Sequence, residues 1–237
     1  MSGTSAGAAP MLEFRSVSAR YGKLAALTDI SFSVAAGERV AVFGHNGAGK
    51  TTLLKCAVGG VPGMAGTVRC GGMPIEAGAV HRNTRLGLGL VPQGHNVFKN
   101  LSVERNLRIA GLLHDGSFVS QVYAMFPMLD ERRAQLAGSL SGGQQQMLAL
   151  GMALMTQPKI LLLDEPMSGL APIIVEAVLA TLTQINQRNG TAIVIVEQNL
   201  KATLPVVERA VILKAGRLVW DGSSAELAAK EDLWEWF

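Results

Sequence analysis

The sequence predicts an α/β fold built on a mostly parallel sheet, with an antiparallel β layer beside it and a helical insertion. Two observations carry that expectation. Short, almost uninterrupted apolar runs alternate with helical patterns, as strands buried on both faces and joined by crossover helices must. Several of those runs end in Gly, Asp, Glu or Gln, at the edge where open α/β sheets keep their chemistry.

The elements follow in chain order. "MSGTSAGAAP" (1–10) lacks the basic start and apolar stretch of a secretory signal and is expected to be a disordered tail. Residues 11–38 and 64–75 carry short strands and turns, the antiparallel layer. "RVAVFG" (39–44) is a buried strand, and "KTTLLKCAV" after it a short helix closed by Gly59 and Gly60. "LGLGLVPQ" (86–93) is a strand broken by Pro92, and 94–153 read mostly as helix. "KILLLDEP" (159–166) is the next strand. In "APIIVEAVLATLTQINQRNG", Ile174, Val178, Leu182 and Ile185 share a helical face, with Pro172 at the start and Gly190 past the end. "AIVIVEQNL" (192–200) is another buried strand, and "RAVILKAGRLVWDG" a hairpin turning at Ala215-Gly216. "SSAELAAKEDLWEWF" opens with a Ser223–Glu226 capping box. Its Trp234, Trp236 and Phe237 are expected to pack on their own domain, a partner contact being the alternative. The expected division is one domain over 11–237. Its core is 11–92 and 154–222, its helical subdomain 93–153 and its C-terminal helix 223–237.

Composition narrows the function. Charged residues are 16% of the chain and hydrophobic ones 49%, with mean hydropathy +0.28. No apolar stretch approaches the roughly 18–20 residues of a membrane span, so the apolar excess points to a partner surface or a large sheet core. A net charge of +3 with scattered Lys and Arg argues against nucleic acid. Cys56 and Cys70 have no metal-ligand spacing, and Cys56 is expected to be a buried free thiol. The four histidines are dispersed, which argues against a metal site built on them.

"GHNGAGKT" (44–51) fits G-x-x-x-x-G-K-[ST] between a strand and a helix. Its glycines let successive N–H groups point at phosphate oxygens, and the helix N-terminus adds partial positive charge. Gly44, His45, Asn46, Gly47, Ala48, Gly49, Lys50, Thr51 and Thr52 are therefore the candidate triphosphate cradle, His45 facing solvent. Lys50 supplies a point charge for the β- and γ-phosphates, and Thr51 a hydroxyl ligand for Mg²⁺. In "ILLLDEP" the apolar run delivers Asp164 to the polar strand end as a Mg²⁺ ligand. Glu165 points differently and can polarise a water for in-line attack. Together the motifs predict a P-loop nucleoside triphosphatase.

"LSGGQ" (140–144), downstream of that loop and just before "ILLLDEP", gives the chain its resemblance. Over 11–237 it looks like the ATP-binding subunit of an ATP-binding cassette (ABC) transporter, a RecA-like P-loop NTPase. The resemblance implies that Ser141, Gly142, Gly143 and Gln144 grip the ATP of a facing subunit, so that two ATP molecules lie sandwiched head to tail. An N-cap serving only its own helix is the plainer reading of Ser141. The resemblance also implies that Tyr21 stacks on adenine. Gln93, in "LVPQG", would touch Mg²⁺ and the attacking water and sense the membrane partner through the helical insertion.

Two departures narrow the resemblance. The family commonly reads Ser-Ala-Leu-Asp after "DEP", whereas "MSGLAP" (167–172) puts Ala171 at the Asp position. Where most relatives place a histidine on the γ-phosphate, this chain has Gln198. A glutamine amide can donate a hydrogen bond there but cannot carry a proton at working pH. Gln198 is thus expected to position rather than titrate, poor turnover or no phosphate contact at all being the alternatives. "VEQN" with "GLAP" is similar to the hydrophobic (branched-chain) amino acid uptake subgroup, and to its shorter, LivF-like, ATP-binding partner. That resemblance implies a different, LivG-like, ATP-binding chain opposite, with a homodimer as the alternative in isolation. It further implies two transmembrane permease subunits, a periplasmic solute-binding protein acting indirectly, and a cytoplasmic place on the inner face of the bacterial plasma membrane. A soluble ABC ATPase of nucleic-acid repair or translation is the rival, although the chain has no coiled-coil insertion and no second cassette.

Overall fold

Apolar and polar residues alternate along β1 (Leu12–Tyr21) and β2 (Leu24–Val34), which pair antiparallel with Phe14 stacked on Phe32. The computed structural model describes residues 9–94 and 96–230. Most of the expected N-terminal tail, His95, and the aromatic stretch 231–237 lie outside the described residues. In β1 and β2 the alternation slips where Ser16 and Asp29 take left-handed backbone angles, φ 47° and 52°. Hydroxyls take up the N–H groups freed there: Ser16 donates to Ser31 Oγ at 2.8 Å and Asp29 to Ser18 Oγ at 3.0 Å.

The chain continues through β3 (Arg39–Phe43), α1 (Lys50–Ala57), β4 (Met64–Cys70), β5 (Met73–Pro74), α2 (Val80–Asn83) and β6 (Leu88–Val91). Then come α3 (Val103–Ala110), α4 (Val119–Met125), α5 (Pro127–Glu131) and α6 (Gly142–Leu154), with no strand among them. The last part holds β7 (Ile160–Asp164), α7 (Pro172–Asn189), β8 (Ala192–Glu197), α8 (Leu200–Thr203), β9 (Arg209–Lys214), β10 (Arg217–Ser223) and α9 (Ser224–Ala228).

Two sheets result, with orders β2-β1-β4-β5 and β10-β9-β3-β8-β7-β6. The first is antiparallel throughout. The second is parallel from β9 to β6, with β10 added antiparallel. Its inner strands are buried on both faces, and their residues divide by parity. Ala41, Phe43, Leu161, Leu163, Ile193 and Ile195 join the core under α3–α7. Val40, Val42, Ile160, Leu162, Val194 and Val196 join the core shared with α1 and the antiparallel layer. Each such Val, Leu, Ile or Phe side chain, fully buried, contributes roughly 1.5–3 kcal/mol. Register then lines up the strand ends that matter: Phe43 lies beside Glu197, Asp164 beside Val196, and Leu163 beside Val91.

The hairpin turn falls where the sequence places it. Ala215 and Gly216 both have positive φ, 46° and 74°, as a two-residue I′ turn demands. Gly216 has a second reason to lack a side chain, since a Cβ there would lie 2.6 Å from the Ala26 carbonyl oxygen.

Both thiols are buried and free. Burial pushes Cys56 up to about 12 and Cys70 up to about 11, Lys159 pulling the latter back a little. The thiolate is the reactive form. Neither cysteine of the folded chain should therefore react with Ellman's reagent within minutes at about pH 8, while both should after denaturation. Stoichiometric labelling of native protein would contradict this.

Candidate functional site

Four parallel strands end at one edge, and each delivers a group to the same spot. After β3 the chain turns through residues 44–49 into α1. Gly49 caps that helix with φ 106° and no side-chain hydrogen bond, so the first N–H groups of α1 have no side-chain acceptor. β2 presses on this loop: a Cβ on Gly49 would lie 2.7 Å from the Ala26 carbonyl oxygen. Lys50, only 5% exposed, folds back so that Nζ donates to the carbonyls of Gly44 (2.8 Å) and His45 (3.2 Å). His45, Asn46 and Gly47 are exposed on the loop, while Ala48 is buried.

Thr51 donates its hydroxyl to Asp164 Oδ1 at 3.2 Å. Asp164 is 4% exposed, and burial holds its carboxyl above the usual range, the Thr51 hydrogen bond partly offsetting this. Among the described residues no group of three or more His, Cys, Asp or Glu could hold a metal ion by itself. A hydroxyl beside a carboxylate is instead the hard-oxygen pattern of a Mg²⁺ shared with a substrate's phosphates, and these residues fit one.

Glu165 breaks the line of β7. Its φ is 46°, in the left-handed region, and this re-aims the side chain away from that of Asp164 while its N–H donates to Val196 O at 2.9 Å. Its carboxylate becomes the meeting point of the site. Gln198 Nε2 donates to Oε1 at 2.7 Å, Gln93 Nε2 donates to Oε2 at 2.9 Å, and Lys50 Nζ stands 3.5 Å from Oε1. Gln198 Nε2 also donates to Asn46 Oδ1 at 2.9 Å, tying the strand end to the Gly-rich loop. The second amide of "EQN" does something local: Asn199 Oδ1 caps α8 by accepting the Ala202 N–H. Such a carboxylate, held by two neutral donors and one ammonium, is set to accept a proton from a water lying against it.

Ser141 is the N-cap of α6, in a capping box: Gln144 Oε1 accepts the Ser141 N–H at 3.0 Å, and Ser141 Oγ accepts the Gln144 N–H at 3.4 Å. In this single chain the helix thus caps itself. Gly142 is exposed, and Gly143 and Gln144 are half-buried. Tyr21 ends β1 with 45% of its surface exposed. Thr52 is buried in α1.

Sequence reading missed two side chains that shape the site. Asn96 Nδ2 donates to the carbonyls of Pro92, Gln93 and Gly94 and holds the turn that carries Gln93. An Asn next to Pro and Gly in a loop is the signal that could have found it. Glu197 is 4% exposed, and burial raises its carboxyl above the usual range although backbone N–H groups of Met167, Gln198 and Asn199 pull it back. Its signal was parity, since it falls on the same face of β8 as Ile193 and Ile195.

Comparison with known proteins places this geometry among relatives. The family model described as ABC transporter matches residues 27–168. Over 221 residues the chain is 42% identical to the high-affinity branched-chain amino acid transport ATP-binding protein BraG of Pseudomonas aeruginosa, covering 92% of this chain and 94% of the relative. Over 225 residues it is 35% identical to the "Probable branched-chain amino acid transport ATP-binding protein LivF" of Archaeoglobus fulgidus, covering 93% and 95%. The fold is similar to the ADP conformation of MJ1267, an ATP-binding cassette of an ABC transporter, with TM-score 0.85 and 22% identity over 96% of this chain and 98% of that one.

Proposed function

The chain belongs to the ABC transporter family of ATP-binding proteins, and from that premise we propose that it is the ATP-hydrolysing subunit of an importer for branched-chain amino acids or similar small solutes. The observation that carries the hydrolytic part is the convergence of Gln93, Gln198 and Lys50 on the Glu165 carboxylate. Near-full-length similarity to two proteins named for branched-chain amino acid transport supports the solute class.

In this reading ATP is the substrate. Lys50 exchanges its carbonyl partners for the β- and γ-phosphates, which also accept N–H groups from residues 44–52 and the start of α1. Tyr21 stacks on the adenine. Thr51, Asp164 and the side-chain Oε1 of Gln93 would hold Mg²⁺. That ion supplies neutralisation of charge on the phosphate oxygens when bound. Glu165 takes the proton of the attacking water. Gln198 and Gln93 fix the rotamer of Glu165, and because an amide does not titrate, the positioning holds across the working pH range. Ser141, Gly142, Gly143 and Gln144 of the facing subunit close over the same triphosphate.

That facing subunit is a related ATP-binding chain, or a second copy when the protein is isolated. The assembly sits under two permease subunits at the inner face of the membrane, fed from outside by a solute-binding protein. No helix among the described residues is long and apolar enough to cross a membrane. Exposed Phe98, Ile109, Leu112 and Leu113, clustered in sequence on the helical insertion, suit contact with an apolar partner. ATP does work here by binding the closed assembly better than the open one.

The test is reconstitution of the chain with the permease subunits that co-purify with it and with the solute-binding protein that docks on them. ATP turnover should rise when the binding protein is loaded with leucine, isoleucine or valine. Turnover that ignores the binding protein but responds to DNA, RNA or ribosomes would move the assignment to a soluble mechanical ATPase.

A further inference from the structure

β8 spends a buried position on a charge. Glu197 follows Ile193 and Ile195 on the face turned to the core that also holds Met167, where an apolar side chain would bury without desolvation cost. Its partners among the described residues are backbone N–H groups rather than cations. Met167 N donates to Oε1 at 3.0 Å, and Gln198 N donates to Oε2 at 3.1 Å. The Asn199 N–H also bears on this carboxylate, so its donors come from two loops, and both loops matter. Met167 lies two residues beyond Glu165, and Gln198 is the residue whose side chain grips Glu165. A closed ring follows: Glu165 carboxylate, Gln198 amide, Gln198 N–H, Glu197 carboxylate, Met167 N–H, and back through Pro166 to Glu165.

We propose that Glu197 is a positioning residue for ATP hydrolysis, a carboxylate bridge that fixes the spacing between the loop carrying Glu165 and the loop carrying Gln198. Its effect passes entirely through the Gln198–Glu165 hydrogen bond and the aim of the Glu165 side chain. Two acceptor oxygens at this reach let one side chain serve both loops at once, Oε1 for Met167 and Oε2 for Gln198. Asp, one methylene shorter, keeps the charge and loses the reach. Gln keeps the shape but sets an NH₂ donor against one of the two N–H groups. The inference rests on the reading of Glu165 as the group that takes the proton.

The experiment compares wild type with Glu197→Gln, Glu197→Asp, Glu197→Ala, Gln198→Ala, the double variant Glu197→Ala/Gln198→Ala, and Glu165→Gln as the control for the underlying reading. ATP affinity, KM and kcat are measured in each, with thermal unfolding to identify variants that fail to fold. Displacement of a reacting group by about 1 Å can cost on the order of 100-fold in rate. All three Glu197 variants should therefore lose about 10- to 100-fold in kcat while KM and ATP affinity stay near wild type. In the double variant the losses should fall well short of multiplying, because both substitutions break one arrangement. Should Glu197→Ala fail to fold, the nearly isosteric Glu197→Gln carries the comparison. The proposal is overturned if Glu197→Gln turns over like wild type, if Glu197→Asp restores full kcat, or if the losses in the double variant multiply. A loss in kcat matched by an equal loss of ATP affinity also overturns it, since that marks a merely structural role. If instead Glu165→Gln hydrolyses ATP normally, the fault lies with the reading of Glu165, which the control isolates.

Discussion

Glu165→Gln should bind ATP with near wild-type affinity and hydrolyse it about 100- to 10,000-fold more slowly, the usual contribution of a positioned general base. The substitution is nearly isosteric, and the left-handed backbone at Glu165 is set by its neighbours rather than its charge. The loop should therefore keep its shape, with Gln93 and Gln198 beside it. What disappears is the only carboxylate among the described residues to which all three of Lys50, Gln93 and Gln198 reach. Rapid-quench measurement of phosphate release, run alongside equilibrium nucleotide binding, separates the two quantities. Turnover within a few-fold of wild type would remove Glu165 from the proton transfer and leave the site without a base.

Lys50→Ala should instead weaken ATP binding severely. The ammonium is buried and preset by two backbone carbonyls on the loop itself, so it meets incoming phosphate with little further ordering. Charge-assisted hydrogen bonds are each worth about 1.5–3 kcal/mol, which puts the loss of ATP affinity on the order of 100-fold or more. The variant also leaves the Gly44 and His45 carbonyls without that donor, and this loosens the cradle further. Fluorescent-nucleotide titration in excess Mg²⁺ reads the effect directly. An affinity within about threefold of wild type would show that the phosphates are held by backbone alone.

Much of the fold was legible because parallel strands buried on both faces leave a plain trace. Continuous apolar runs at 40–43, 160–163 and 192–196 could be little else, and Pro172 and Gly190 bracket the long helix as expected. The phosphate loop was legible for a different reason: its chemistry requires particular residues at fixed spacing between a strand and a helix. What stayed hidden depends on where backbone groups end up in space. Nothing local marks Ser16, Asp29 or Glu165 for positive φ, since the strain is imposed by neighbours that pair with them. Asn106, wholly buried, accepts the Phe98 N–H and donates to the carbonyls of Phe98, Leu101 and Ser102. In sequence it is an ordinary helical asparagine. Gln198 was noticed as an amide where relatives carry an imidazole, yet its hold on Glu165 and Asn46 required three loops to be assembled.

The turn at Ala215-Gly216 closes over the phosphate loop. Gly216 N donates to Ala48 O at 3.0 Å, and Gly216 O accepts the Thr28 N–H at 2.8 Å, so one late glycine bolts together two of the earliest segments. During synthesis the loop at 44–51 leaves the ribosome long before that glycine does. A nascent chain stopped short of Arg209 lacks the clasp, so the phosphate loop should stay unlatched until the β9–β10 hairpin has emerged.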